Sequence, residues 1–103
     1  MPTMIVLFNL RDGVDEAAYE EWARSVDVPA VGRLRSIDSF RVLRSSGVLG
    51  SDAAAPYRYV EIVEVNDMGV LGEDVASEEM GRVAAAFQSF ADGPTFMICD
   101  ELA

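Results

Sequence analysis

The chain of 103 residues contains no histidine and no lysine, and all eight of its basic residues are arginine. Without histidine there is no Ser-His-Asp triad, no imidazole general base, no haem-ligating imidazole and no Cys/His zinc site. Without lysine there is no Schiff-base chemistry. The one cysteine, Cys99, excludes an intrachain disulfide and an all-thiolate metal site. The chain therefore needs no oxidising compartment, and a cytoplasmic setting is expected. No metal is expected either, although a carboxylate-only site needs no histidine. Proton transfer has to fall to a carboxylate, a tyrosine, Cys99 or water. Cys99 reads as a small core residue, because nothing is present to activate it as a nucleophile. Positive charge is scarce: 18 acids face 8 bases, for a net charge of −10. Phosphate backbones and anionic membranes are repelled by that balance, so neither nucleic acid nor a membrane is expected as a partner. No apolar run reaches the roughly 18 residues that cross a bilayer, and the first residues lack the basic flank and small-residue cleavage site of a signal peptide.

What is present is a clear alternation of strand and helix patterns, and the length fits one domain. Residues 3–10, TMIVLFNL, form an apolar run of strand length. Arg11-Asp12-Gly13 breaks it. Helical spacing follows over 15–28, with Ala18, Tyr19, Trp22, Ala23 and Val26 on one face. Asp12 or Asp15 is placed to cap the start, and Pro29 predicts an end near Val28. Residues 37–46 and 57–65 read as two strands around a Gly/Ser/Ala-rich loop, Gly47 to Pro56. A hairpin centred near Ser51 would set Arg41 opposite Glu61 and Val42 opposite Val60. A one-residue slip would move every side chain to the other face. Met68 to Val75 reads as a short helical turn or a loop. Ser77 is a candidate N-cap for a helix whose stripe is Met80, Val83, Ala84, Phe87 and Ala91, with Phe90 beside it. Asp92-Gly93-Pro94 predicts its end, and residues 95–101 make a last strand.

The order βαββαβ predicts an α+β, ferredoxin-like domain: a four-stranded antiparallel sheet with two helices on one face. The first strand is apolar at both parities, Ile5 and Leu7 one way and Met4, Val6 and Phe8 the other. A bare apolar sheet face is an association surface. A second copy packed sheet against sheet, as a twofold dimeric α/β barrel, is the economical cover.

Several residues carry candidate chemistry. Asp27 closes the first helical segment, where a carboxylate opposes the helix dipole; that tends to raise its pKa and makes it the candidate general acid or base, against a plain solvated acid before a proline turn. Asn9 lies near the end of the apolar first strand, either as a ligand-binding amide or as a polar strand end bonded to a loop. Tyr19, Trp22 and Phe87 are candidate walls of an aromatic pocket, or simply core. Arg41 and Glu61 are candidates for an ion pair that would orient a polar ligand group, and Tyr57 and Tyr59, on the face of Glu61, could donate phenol hydroxyls.

The segment YEEWARSVDVPAVGRLRSIDSFRVLR, Tyr19 to Arg44, resembles the dimeric α/β barrel superfamily, whose EthD-like members end the first helix with His-x-Pro. Asp27-Val28-Pro29 stands there in this chain, which sets aside any mechanism built on that histidine but leaves a titratable group in its place. Asn9 and Trp22 resemble the Asn and Trp of haem-degrading members, a group that also needs the histidine missing here. Met4 to Val31, MIVLFNLRDGVDEAAYEEWARSVDVPAV, together with AFQSFADGPTFMI, resembles the RedY-like HapK proteins associated with prodiginine pigment clusters. That resemblance implies a ferredoxin-like homodimer with a role near bipyrrole or related pigment-precursor chemistry, and carries over no site residues.

These expectations converge on a protein of secondary metabolism that binds an apolar, heteroaromatic intermediate between helices and sheet. If it is an enzyme, cofactor-free proton transfer is expected: a cyclisation, dehydration or isomerisation. Asp27 would be the acid/base, Asn9, Arg41 or Tyr59 would hold a carbonyl or developing oxyanion, and Tyr19, Trp22 and Phe87 would exclude water. The alternatives are a non-catalytic carrier or assembly partner of a biosynthetic enzyme, and a monooxygenase-like domain with an unrelated substrate.

Overall fold

The structure, a computed structural model, describes residues 2–103. Four antiparallel strands form one sheet in the order β2-β3-β1-β4: β1 is Pro2–Leu10, β2 Ile37–Arg44, β3 Tyr59–Val65 and β4 Ala91–Asp100. This is the ferredoxin-like arrangement that the element order predicts. Helices α1 (Glu16–Trp22), α2 (Val28–Gly32), α3 (Met68–Val75) and α4 (Glu78–Phe90) complete the chain. No helix among the described residues is long and apolar enough to cross a membrane.

The two parities of β1 divide the sheet. Val6 and Phe8 are fully buried under the helices, and Tyr59, Glu61, Val63 and Val65 of β3 are buried on the same side. Phe8 lies at the centre of an aromatic cluster. It meets Tyr19 and Phe87 edge-on, at centroid distances of 5.6 and 5.0 Å, and stacks on Tyr59 at 5.6 Å. On the opposite side Ile5 and Leu7 pair with Ile62, Val60 and Met97, none of them covered by a helix.

The first helical segment does not stop at Pro29. Between α1 and α2 lies a five-residue π turn, Ala23–Asp27, in which the Val28 N–H bonds to the Ala23 carbonyl five residues back. Proline brings no N–H and crowds the preceding turn of a regular helix. Here it sits at the opening of α2, where a donor is dispensable, and the chain stays helical through it. The wide turn also shifts the inward face. Tyr19, Ala23, Asp27 and Ala30 are buried, whereas Val26 and Ala18, expected inside, are exposed.

Two further expectations need correction. In the β2–β3 hairpin Val42 pairs with Glu61 and Arg41 with Ile62, one residue off the expected register. Arg41 therefore points to the opposite sheet face from Glu61, and the proposed ion pair does not form. The loop joining these strands has no two-residue turn to fix the pairing. Asp92-Gly93-Pro94 does not separate α4 from the last strand, because β4 begins directly at Ala91. A register shift between Leu7 and Asn9 absorbs that entry, and Gly93, at φ +52°, supplies the left-handed residue beside it. The stretch after Asn66 is a true helix, α3, capped by the Asp67 carboxylate, which accepts from the Val70 N–H at 3.0 Å. Ser77 caps α4 as expected.

Candidate functional site

A row of cross-strand neighbours runs over the helix-covered face: Val42 on β2, Glu61 on β3, Val6 on β1 and Phe96 on β4. Glu61 is the one charged side chain in an otherwise apolar row. It sits on the floor of a cavity of about 210 Å³ between the sheet and the helices. Phe40, Val63 and Phe96 extend the floor, Val31 and Asp27 close one side, and Phe87 with Leu71 closes the roof.

Asp27 reaches this cavity from the π turn and is only 4% exposed. Burial penalises the charged form of a carboxylate, and it pushes Asp27 up to about 6. Glu61, 6% exposed, is pushed up to about 8, first by burial and then by the negative charge of Asp27. Both carboxyl groups are thus held above the ordinary carboxylate range, so the pair keeps a proton to higher pH than a carboxylate in water does. Two carboxyl groups driven apart by their surroundings are the usual signature of a divided acid and base role. Neither group takes part in an ion pair among the described residues.

Two buried polar atoms have no hydrogen-bond partner among the described residues, the Glu61 Oε2 and the Tyr19 hydroxyl. Each such atom costs on the order of 1–3 kcal/mol. Burial, and then the charges of Glu61 and Asp27, holds the Tyr19 phenol well above the ordinary tyrosine range, so it is a permanent donor. Tyr19, Asp27 and Glu61 thus form one electrostatically coupled group, two of whose buried atoms lack a hydrogen-bond partner among the described residues.

The other expected residues lie elsewhere. Asn9 is taken up structurally: its Oδ1 accepts from the Arg58 N–H at 2.8 Å and its Nδ2 donates to the Pro56 carbonyl at 3.1 Å, tying β1 to the loop before β3. The Tyr59 hydroxyl donates to Glu20 Oε2 at 2.8 Å. Glu20 also accepts from Arg44, and these bonds, Tyr59 first, hold Glu20 below the usual range. Tyr19, Tyr59 and Arg41 line a wider, open cleft of about 610 Å³ between α1 and β2. Trp22 packs on Phe90 and borders a groove between α2 and α4 instead of the carboxylate cavity. Phe87 lines that cavity, and Tyr57 stays partly exposed outside β3. Nothing in the sequence links Asp27 to Glu61 directly, but YVEIVEV does place Glu61 on the buried parity with Tyr59, Val63 and Val65.

A family model described as REDY-like protein HapK matches residues 2–102. The crystal structure of HapK from Hahella chejuensis is similar at 28% identity and a TM-score of 0.80, over 99% of this chain and 93% of that one. An EthD family protein from Bacillus halodurans superposes with a TM-score of 0.75 at 18% identity, over 99% of both chains. SnoaB from Streptomyces nogalater, described as a cofactor-independent oxygenase, does so at 17% identity, also with a TM-score of 0.75, over 97% of this chain and 91% of that one. At those identities the last two show the shared fold alone. No curated protein matches the sequence.

Proposed function

The chain belongs to the REDY-like HapK family, and from that membership we propose that it binds an apolar heteroaromatic intermediate of pigment-type secondary metabolism and moves a proton on it without a cofactor. The observation that carries this reading is the Asp27–Glu61 pair on the wall of an apolar cavity. Asp27, ionised at neutral pH, is the base; Glu61, still protonated, is the acid. The Tyr19 hydroxyl donates to the oxygen or nitrogen on which charge develops. Phe87, Phe40 and Phe96 hold the ring system and exclude water. Such a division of labour suits an isomerisation, a dehydration or a ring closure. SnoaB, described as a cofactor-independent oxygenase, shares the fold and is consistent with cofactor-free chemistry on such a scaffold.

In the same reading the protein works as a homodimer. Ile5, Leu7, Val60, Ile62 and Met97 present an apolar sheet face that no helix covers, and a second copy would bury it.

The test is thermal unfolding with a panel of bipyrrole aldehydes and related aromatic carbonyl compounds, followed by mass spectrometry and chromatography of the ligand. A ligand at about 100 times its dissociation constant adds roughly 2.7 kcal/mol of stability. Asp27→Asn should keep the fold and lose turnover by about 10²–10⁴-fold. Binding with the ligand unchanged would make the protein a carrier, and unchanged turnover in Asp27→Asn would remove Asp27 from the mechanism. No shift across the panel would end the pigment reading.

A further inference from the structure

The charge of the cavity says more about its ligand than the cavity's shape does. Two carboxyl groups face one small apolar space, and no arginine lines it. From β1, β2 and β4, and from α2 and α3, the lining side chains are apolar; α4 adds only the amide of Gln88. The one charge that acts on Glu61 is that of Asp27, and both carboxyl groups act in turn on the Tyr19 phenol, which carries no positive charge. Arg44 and Arg24 are engaged by Glu20, at 2.8 and 3.5 Å. The Glu61 Oε2, on a side chain only 6% exposed, is left without a partner in this space. Three aromatic rings, those of Phe40, Phe87 and Phe96, stand around it.

What this arrangement lacks is a cation. Resting on the site proposed above, we infer that the cavity takes a small aromatic nitrogen base, bound as a monocation against Asp27 and Glu61, and that its entry releases the proton the two carboxyl groups share. An anion would meet Asp27 and be repelled. A neutral amide would satisfy the open oxygen and leave Asp27 uncompensated. An amidinium, a protonated imine or a protonated ring nitrogen satisfies both and gains from the ring faces. The balance is simple. The free site holds one carboxylate and one carboxylic acid. The occupied site holds two carboxylates and the cation, and one proton passes to the buffer. With Glu61 ionised in the occupied site, the protonated nitrogen of such a ligand takes over the acid's role, because it accepts the electron pair left when Asp27 removes a neighbouring C–H proton.

The experiment uses three probes of nearly equal shape and different charge: benzamidine, benzamide and benzoate. Titration calorimetry at pH 7 in two buffers of different ionisation enthalpy reads both affinity and proton release. Benzamidine should bind at least about tenfold more tightly than benzamide, with benzoate not binding. Close to one proton should leave per benzamidine bound. At pH 9, where Glu61 has already ionised, the release should vanish while benzamidine remains a cation, and this readout needs no variant. Glu61→Gln should abolish the release at pH 7 and keep the preference for benzamidine. Equal or tighter binding of benzamide or benzoate, or benzamidine binding without proton release at pH 7, overturns the inference and leaves the aromatic site itself standing. If none of the three binds, the cavity is not an aromatic site, and both readings fall.

Discussion

Glu61→Gln is the substitution with the most informative pH dependence, because it keeps the size of the side chain and removes its titration. In the folded protein Glu61 is raised from 4.5 to about 8. Between those two values the folded chain holds a proton that the unfolded chain has released, so stability falls as pH rises through this window. The contribution is fully present below about pH 4.5 and is lost by about pH 8. At 1.36 kcal/mol for each unit, the shift corresponds to roughly 4–5 kcal/mol, a large part of the 5–15 kcal/mol typical of a domain. Asp27, raised from 3.8 to about 6, behaves the same way at lower pH and on the order of 3 kcal/mol. Because the two groups interact, the figures do not simply add. Urea unfolding at fixed protein concentration, at pH 5 and at pH 9, measures the effect. Wild type and Glu61→Gln should agree at pH 5 to within about 1 kcal/mol, and the variant should be more stable by several kcal/mol at pH 9. The same decline with pH in both proteins, or a variant weaker than wild type at pH 9, would refute the argument that Glu61 is a buried acid without a compensating charge.

Tyr19→Phe removes a buried hydroxyl that has no partner, so it should leave stability unchanged or raise it by about 1 kcal/mol in chemical unfolding while weakening ligand binding. A loss of stability would mean that the hydroxyl is satisfied in the free protein. Phe8→Ala removes the ring that touches Tyr19, Tyr59 and Phe87; it should cost about 3–5 kcal/mol in the same assay. Ile62→Asp places a charge on the uncovered sheet face, and sedimentation should show a dimer become a monomer with its helical circular dichroism intact; a wild type that already sediments as a monomer would remove the dimer from the account.

The sheet was legible because its parity is written in β1 and β3, where Val6 and Phe8 alternate with Ile5 and Leu7, and Tyr59, Glu61 and Val63 alternate with Val60 and Ile62. Its register was not. The pairing of Val42 with Glu61 depends on how a 14-residue connection closes (Ser45 to Arg58), and nothing in Gly47 to Pro56 specifies a turn. Asp27 was legible as a titratable group but for an incomplete reason. The helix dipole suggested a raised pKa for an acid in water, whereas burial in the π turn raises it in the structure. That burial could not be read from 3.6-residue spacing, which puts Val26 on the inner face. Asn9 shows the opposite failure: an amide in an apolar run invited a ligand, and loop backbone atoms claimed both of its ends.

The π turn has a genetic consequence. The wide turn accommodates one residue more than a regular helix would between Tyr19 and Pro29. Loss of the single codon for Val26, a residue 40% exposed and outside the cavity, would let the run close to regular helix. The aspartate would then take position 26, which 3.6-residue spacing from Tyr19 already places on the inner face, so it would go on facing the cavity. For relatives aligned through this segment, a one-residue gap between Ala23 and Asp27 is therefore compatible with the same carboxylate pair, whereas a residue inserted there would turn the aspartate away from it.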